Sequence, residues 1–434
     1  MKEVKLEHRL QIPVWFMSQN DKFYLQNDGE HYTPYNKANL RLILRNWGIR
    51  SRAIDDEVTS PIDSFMSDCL LSKIVDYAGP LAGYKQGCYQ FNERRILVTN
   101  NPHIIEADSH VEFPMIRNII DQMFNGEDID QRLYIYGWLK IGRECLLKSN
   151  PIPGHALVLA GPRNAGKNLI QDLTTKIMGG RDAKPYRYMI GKSEFNSNLF
   201  QAEHLMIADE SPFYDMQSRR TFGSKIKDFC VNSTQNCHGK HKEALTLNPL
   251  WRLSISVNEE SENLLMLPPL EDSIEDKILL LKVSKAQMPM ESNSPQKQKN
   301  FWNALCAELP GFVHFLDNYE IPEKYKDSRF GLEAFQHPAL VEALKKMSHE
   351  NRLLELMEII VVPENGTWKG TQQDLELALY EDSTYKRQIE RLLYYTNALQ
   401  TYLRRLAKAR PNQVRNVKGH GGKRSWEIMS SNPT

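Results

Sequence analysis

The chain has 434 residues, of which 41% are hydrophobic and 25% are charged. This composition is that of a folded globular protein, and the length predicts two or three domains. Because the formal net charge is only +1, any affinity for nucleic acid has to come from local basic patches. The sequence begins without the apolar run of a signal peptide, and no stretch approaches the ~20 apolar residues of a membrane span. We therefore expect a cytoplasmic protein, whose six scattered cysteines are free thiols.

The pattern of apolar residues divides the chain into five predicted segments. Short, mixed apolar runs come first, and helical spacing follows in FPMIRNIIDQMF and QRLYIYGWLKIGRECLLKS. NPIPG then breaks the pattern, and the polar stretch KAQMPMESNSPQKQKN predicts a loop or linker further on. The expected segments are a small α+β N-terminal region (1–112), a helical subdomain (113–150), an α/β core (151–290), a linker with helices (291–332) and a C-terminal domain (333–434).

A candidate phosphate-binding loop lies between a predicted strand, HALVLA, and a predicted helix, NLIQDLTTKIM. The spacing G-x4-G-K suits phosphate, since glycines let backbone N–H groups approach it. The helix N-terminus favours negative charge, and the lysine reaches the β- and γ-phosphates. A glycine-rich turn without a ligand is the alternative. The residues predicted to bind nucleotide are Gly161, Pro162, Arg163, Asn164, Ala165, Gly166, Lys167 and Asn168.

The last residue of this loop departs from the usual pattern. Asn168 stands where a serine or threonine hydroxyl normally binds magnesium. A carboxamide oxygen is also a ligand for hard cations, although its reach differs from that of a hydroxyl. We therefore keep Asn168 as a predicted Mg²⁺ ligand.

Two further strands are predicted to end in polar residues. HLMIADE places Asp209 and Glu210 after a mostly apolar run. Asp209 is suited to hold Mg²⁺, mostly through water, and Glu210 to orient or polarise an attacking water. WRLSISVN ends in Asn258, whose amide could align that water or sense the γ-phosphate. The alternatives are a chance acidic pair and an asparagine that caps a loop.

The stretch NCHGKHKEALTL predicts a β-hairpin with a basic tip. Cations at such a tip suit the phosphates of a nucleic acid strand, although a solvated tip without a ligand is the alternative. A zinc site formed by Cys237, His238 and His241 would lack a fourth ligand and a standard spacing. The residues predicted to bind nucleic acid here are His238, Lys240, His241 and Lys242.

The C-terminus is basic. NALQTYLRRLAKARP predicts a helix that stops at a proline, and NQVRNVKGHGGKRSWEI predicts two short strands around a glycine-rich turn. A helix followed by a basic β-wing is typical of winged-helix nucleic-acid-binding domains, and a charged surface tail is the alternative. The predicted contact residues are Arg415, Lys418, Lys423 and Arg424.

The ordered set of glycine loop, acidic strand, basic hairpin and Asn-ended strand resembles superfamily 3 helicases, the AAA+-related motors of small viruses, phages and plasmids. GWLKIGRECLL, LVLAGPRNAGKN, FNSNLFQAEHLMIADE and LLMLPPLEDSIEDKILLLKV are similar to the phage and poxvirus-type primase-helicase group. The resemblance covers roughly residues 80–285. It implies a P-loop NTPase core of α/β type, flanked by the N-terminal α+β region and a winged-helix-like C-terminal domain.

The resemblance also implies residue roles, with ATP and Mg²⁺ as cofactors. Asp209 and Glu210 would form the Walker B pair, and Asn258 would be the sensor. Lys240 and Lys242, with His241 beside them, would line a channel and grip single-stranded DNA. The residues that would bind the ATP phosphates are Gly161, Gly166 and Lys167.

Such motors are usually hexameric rings, with ATP at subunit interfaces and a cationic finger from the neighbour. Lys277 occupies the position where many relatives have an arginine, and it cannot make the bidentate contact of an arginine. The alternative fingers are Arg219, Arg220 and Arg252. Larger relatives often carry a primase domain upstream. The residues before the loop show no convincing set of paired catalytic carboxylates, so we expect a separate primase or polymerase.

The expected function is therefore ATP-dependent unwinding of duplex DNA, with single-stranded and forked DNA as partners, during replication of a phage or mobile element. An initiator or loader ATPase that binds nucleotide and DNA without processive unwinding is the main alternative. A P-loop kinase of a small metabolite is the third, and it would leave the basic hairpin and basic tail without a purpose.

Overall fold

The computed structural model divides the chain into two units, residues 1–337 and 338–434. The predicted boundaries at 112, 150 and 290 fall inside the first unit. The residues that the structure describes are 14–26, 29, 31–53, 58–91, 93–126, 129–208, 216–240, 243–264, 266–268, 272–346, 349–363, 366–418 and 424–430.

The first unit begins with two small sheets. A four-stranded sheet of order β3-β2-β1-β4 packs against two helices, each of which starts at a side-chain cap, Asn36 or Ser60. A three-stranded sheet of order β5-β7-β6 follows. The elements are β1 (Val14–Met17), β2 (Lys22–Gln26), β3 (Tyr32–Tyr35), α1 (Lys37–Asn46), α2 (Pro61–Ser72), β4 (Ile74–Val75), β5 (Tyr77–Gly79), β6 (Gly87–Phe91) and β7 (Arg94–Val98).

Two predicted helices and a parallel sheet form the centre of the first unit. The sheet has the order β14-β8-β13-β10-β9, and every neighbouring pair is parallel. The elements are α3 (Pro114–Phe124), α4 (Arg132–Lys148), β8 (Ala156–Gly161), α5 (Lys167–Ile177), β9 (Asp182–Ala183), α6 (Tyr186–Met189), β10 (His204–Ile207), α7 (Met216–Val231), β11 (Gln235–Cys237), β12 (Leu245–Leu247), β13 (Arg252–Asn258), α8 (Ser261–Leu264), α9 (Asp272–Glu275) and β14 (Ile278–Lys282).

Burial explains why these central strands have nearly continuous apolar sequences. All six residues of β8 are buried, as are the first four of β14, because both faces of a parallel sheet are covered. Parallel strands end at a common edge. The carboxyl ends of β8, β10 and β13, where the sequence predicts the site, therefore lie together.

A long helix, α10 (Pro295–Asp317), completes the first unit. It begins inside the polar stretch that the sequence analysis assigned to a loop or linker, so that assignment is wrong from residue 295 onward. The Ser294 hydroxyl caps the helix and Pro295 occupies its first turn. The Glu308 carboxylate accepts hydrogen bonds from two amides at the start of α3, and Asp317 pairs with Arg143 of α4.

The second unit has helices around a three-stranded antiparallel sheet of order β15-β17-β16. Its core contains Leu356, Leu375, Tyr402 and Trp426. The C-terminal helix and the two strands that the sequence predicts are present. The elements are α11 (Pro338–Lys346), α12 (His349–Ile360), β15 (Thr367–Gly370), α13 (Gln372–Glu381), α14 (Lys386–Leu392), α15 (Ala398–Ala409), β16 (Val414–Lys418) and β17 (Arg424–Met429).

Candidate functional site

The glycine loop connects β8 to α5, as the sequence predicts. A Cβ atom on Gly161 would lie 2.3 Å from the carbonyl oxygen of Val283, so only glycine fits there. Gly166 has a φ of +96° and Asn164 a φ of +58°, both in the left-handed region. The two glycines of the motif are therefore required by close backbone approach and by backbone conformation, respectively.

Lys167, the first residue of α5, is only 6% exposed. Its Nζ donates to the carbonyl oxygens of Gly161 and Pro162, each at 2.8 Å, and to Asn258 Oδ1 at 3.1 Å. The last contact follows from the register of the sheet, in which Asn258 pairs with Gly161 on the neighbouring strand. The loop lysine and the predicted sensor therefore meet.

A cavity of about 670 Å³ opens at this edge of the sheet, a size typical of ligand sites. Gly166 caps α5 without a side-chain hydrogen bond, and the amino end of this helix, which borders the cavity, favours negative charge. Gly161 and Pro162 contact Lys167 and are not part of the lining. The cavity is lined by the loop residues Arg163 to Leu169, by Ser256, Val257 and Asn258 at the end of β13, and by Asn263, Met266 and Met288.

Asn168 lies on the side of the loop that faces β13. The Ser256 hydroxyl lies 3.4 Å from Asn168 Oδ1, which is longer than a strong hydrogen bond. The predicted carboxylates Asp209 and Glu210 lie outside the described residues. The strand that leads to them, β10, ends at Ile207 beside Ile255 of β13. The predicted pairing of Asn168 with Asp209 at a metal thus stays a prediction.

A buried polar cluster beneath the loop was not found from the sequence. The Gln171 amide donates to the Ile207 carbonyl at 3.1 Å and to the Ser254 hydroxyl at 2.8 Å. The His204 ring lies 2.8 Å from the Ser254 hydroxyl and 2.7 Å from that of Thr175. Helix α5 is thereby joined to both β10 and β13, the strands that carry the other predicted site residues.

The bonds of this cluster form a closed ring that suits a neutral histidine. Thr175 donates to the Gln171 carbonyl at 3.2 Å, so its oxygen can accept from His204 Nδ1–H. Ser254 accepts from Gln171 and can donate to His204 Nε2. Burial lowers the pKa of His204 to about 3. The signal in the sequence was polar residues inside otherwise apolar strands, His204 and Ser254.

The predicted basic hairpin is present, since β11 and β12 pair antiparallel with Cys237 opposite Leu245. Lys240 is exposed at its tip, whereas His241 and Lys242 lie outside the described residues. Asn196 holds the hairpin: its Oδ1 accepts from the His238 amide at 2.7 Å, and its Nδ2 donates to the Asn236 carbonyl at 2.8 Å.

A second residue that the sequence analysis missed accompanies this hairpin. The Phe195 side chain is 43% exposed, and its ring centroid lies 5.3 Å from that of His238. Because Asn196 ties the adjacent backbone to the hairpin, Phe195 and His238 are presented together. The zinc alternative includes His241, which lies outside the described residues, and so stays untested; within the described ranges, no three His, Cys, Asp or Glu side chains could hold a metal ion.

The candidate cationic fingers differ in accessibility. Arg219 is buried and donates to the Leu267 carbonyl at 3.1 Å, and Arg252 is buried at the amino end of β13. The Lys277 ammonium is paired with Asp276 at 2.6 Å, and its side chain is 12% exposed. Its carbonyl accepts from Ala156 at the start of β8, about 17 Å from Gly161 for a strand of this length. The side chain of Arg220 lies outside the part of the chain that the structure describes.

In the second unit, Arg415 is exposed on β16 opposite Glu427 of β17. The side chains of Lys418 and Arg424, and the whole of Lys423, lie outside the described part of the chain. Helix α15 adds an exposed basic face, whose residues were not among the contact residues predicted from the sequence. Its exposed cations are Arg404, Arg405 and Lys408, followed by Arg410.

Two general features of the chain bear on its setting. All six cysteines are free, and four of them are buried. Among the helices that the structure describes, none has the length and apolar character needed to cross a bilayer.

Comparisons with known proteins add a likeness of fold. No model of a known protein family and no curated protein matches the sequence. The apo structure of the NrS-1 C-terminal region aligns with a TM-score of 0.55 and 14% identity, over 99% of this chain and 98% of that one. The two chains share a fold. At this identity the likeness carries no residue roles.

Two structures with helicase in their descriptions also align, with low scores. The SCCmec type IV Cch active helicase gives a TM-score of 0.31 at 9% identity, over 92% of this chain and 70% of that one. A structure of JCV helicase with a bound small molecule gives a TM-score of 0.26 at 11% identity, over 56% of this chain and 70% of that one. TM-scores this low carry no further conclusion.

Proposed function

We propose that the chain is an ATP-driven DNA helicase of superfamily 3 type that acts in the replication of a phage or mobile element. The observation that carries the proposal is the contact between Lys167 and Asn258 at the mouth of the cavity. Such a motor needs two groups around the γ-phosphate: an ammonium on the phosphate loop, and an amide at the end of a neighbouring strand, here β13.

The residues fit a nucleotide triphosphate with magnesium. Gly161 and Gly166 leave room for close approach, and the uncapped start of α5 offers N–H groups to phosphate oxygens. Asn168, with Asp209 after β10, would hold Mg²⁺, which supplies charge neutralisation at the β- and γ-phosphates.

Lys167 and Asn258 would link nucleotide binding to the sheet. Lys167 Nζ donates to three neutral oxygens, those of Gly161, Pro162 and Asn258, and a phosphate oxygen would be a stronger acceptor than any of these. If the ammonium turns to phosphate, the Asn258 amide is released to contact the ligand or the attacking water. Gln171 would keep β10 in register with α5, since it donates to the carbonyl two residues before Asp209.

DNA would be gripped by the hairpin. Lys240 is exposed at the tip and can neutralise a phosphate, and Lys242 and His241 would extend the same contact. Phe195, exposed beside His238, offers a ring for base stacking. Because one hairpin gives few contacts, we propose a homo-oligomeric ring, in which hairpins from several subunits act on one strand.

The remaining parts of the proposal concern partners. The second unit would act as a winged-helix-like domain, with Arg415 and the exposed face of α15 against duplex or forked DNA. A separate primase or polymerase would supply primers. Lys277, whose ammonium would have to leave Asp276, and Arg220 stay the proposed fingers from a neighbouring subunit, because Arg219 and Arg252 are buried within their own chain.

The test is ATP hydrolysis with and without single-stranded DNA. We expect Mg²⁺-dependent hydrolysis that single-stranded DNA stimulates, and loss of both activities in Lys167→Ala. Lys176→Ala, a change on the same helix away from the cavity lining, is the matched control and should keep activity. DNA binding that nucleotide tightens without turnover would instead favour the initiator or loader function.

A further inference from the structure

Arg252, at the amino end of β13, is buried and forms no ion pair with a residue that the structure describes. The residue is only 6% exposed, and its Nη1 donates to the Trp251 carbonyl at 3.0 Å. Its Nε and Nη2 atoms are buried and have no hydrogen-bond partner among the described residues. A buried guanidinium that uses one of its three nitrogens is unusual, since an uncompensated charge is costly to bury.

Two glycines make room for this guanidinium. A Cβ atom on Gly154 would lie 2.6 Å from Arg252 Cζ and Nε, and one on Gly142 would lie 3.3 Å from Arg252 Cγ. Gly142 lies inside α4, where glycine lowers helix stability. The surroundings of Arg252 are therefore shaped to accept a large cationic side chain at this position.

Arg252 borders a small cavity of about 40 Å³. This volume exceeds the roughly 10–15 Å³ that a single water needs, so the cavity has room for a small polar ligand. Its lining contains Cys145, Cys230 and Asn232 and has no Asp or Glu. The neighbouring His155 ring is neutral, because burial lowers its pKa to about 4, and a neutral ring does not balance the charge of the guanidinium.

Another buried arginine, which leaves only its Nη1 without a partner among the described residues, shows how the same fold compensates a guanidinium. Arg143 is 2% exposed, pairs with Asp317 at 2.7 Å and donates to the Ile105 carbonyl at 2.8 Å. Arg252 has neither an acid nor a second carbonyl within the described part of the chain. A group from solution would satisfy it.

We propose that Arg252 and this cavity bind a small inorganic anion, either chloride or a tetrahedral oxyanion such as phosphate. The Nε and Nη2 donors form the fork that suits such an ion. The site is separate from the phosphate loop, because Arg252 and Asn258 lie at opposite ends of β13, about 20 Å apart. The anion would stabilise the amino edge of the central sheet.

The experiment is thermal unfolding of Lys167→Ala protein, in which the phosphate loop has lost its cation. Sodium gluconate, too large for the cavity, is replaced by chloride, phosphate or sulfate at constant ionic strength. We expect a saturable rise in Tm with at least one small anion. At a hundred times Kd the folding equilibrium shifts about a hundredfold, which corresponds to a few degrees. A rise in Tm with chloride alone identifies chloride as the ligand, and a rise with phosphate or sulfate identifies an oxyanion.

Variants assign that response to Arg252. In the same background, Arg252→Met should abolish the response, whereas Arg143→Met should lower Tm and keep it. If Arg252→Met does not fold, Arg252→Lys should bind the anion about tenfold or more weakly, because a lysine lacks the planar fork. Equal Tm values in gluconate and in all three anions would overturn the proposal, as would an unchanged response in either Arg252 variant.

Discussion

The polar cluster under the phosphate loop predicts that the protein loses stability in mild acid through His204. The ring is fully buried, and its pKa falls from 6.5 to about 3. Below pH 6.5 the unfolded chain takes up a proton that the folded protein does not accept until about pH 3. Stability due to this group is therefore complete above pH 6.5 and is lost as the pH falls through that window.

The magnitude follows from the width of the window. Between pH 7 and pH 5, His204 alone lowers the free energy of unfolding by about 2 kcal/mol. His155, whose pKa is lowered to about 4 by burial, contributes a similar loss of about 2 kcal/mol with the same sign. Other ionisable groups contribute too, so the informative quantity is the difference between the parent and a variant.

The assay is urea unfolding of the parent and His204→Gln at pH 7 and pH 5. Glutamine keeps hydrogen-bonding atoms toward Thr175 or Ser254 but does not titrate, so the acid-induced loss should shrink by about 2 kcal/mol. His110→Gln, a change at an exposed residue, should leave the loss as in the parent. If the parent and His204→Gln lose the same stability between the two pH values, the ring of bonds around a neutral His204 is refuted.

Three further predictions concern the loop and the hairpin. Gly161→Ala should lower the free energy of unfolding by about 1–3 kcal/mol, because its Cβ meets the Val283 carbonyl; an unchanged urea midpoint would contradict this. Asn168→Thr should leave the rate of ATP turnover unchanged or lower if, as proposed, the carboxamide serves as the cation ligand; a large gain would contradict that role. Lys240→Ala should weaken single-stranded DNA binding and lower the salt slope, log Kobs against log[salt], by about 0.7, whereas an equal slope would show that Lys240 contacts no phosphate.

The order of strands and helices around the site could be predicted because it rests on local patterns. Buried parallel strands are continuously apolar, and the loop has glycines where the backbone requires them. The start of α10 was missed although Ser294 and Pro295 form an ordinary helix start. There the polar composition of the stretch was given more weight than the cap.

Contacts between residues that are distant in the chain could not be predicted from the sequence. Whether Gln171 and Ser254 meet, or whether Asn196 holds the hairpin, depends on the packing of separate elements. The finger candidates show the same limit. The sequence does not tell whether an arginine is exposed to solvent, and only the fold reveals that Arg219 and Arg252 are buried.

Unwinding of a forked duplex tests the central claim most directly. The parent, with ATP and Mg²⁺, should separate the strands of a fork, and Lys167→Ala should bind the same DNA without separating them. The parent should also fail when ATP is replaced by a non-hydrolysable analogue. A purified protein that binds the fork and hydrolyses no ATP, or one that unwinds equally well as Lys167→Ala, would contradict an ATP-driven motor built on this loop.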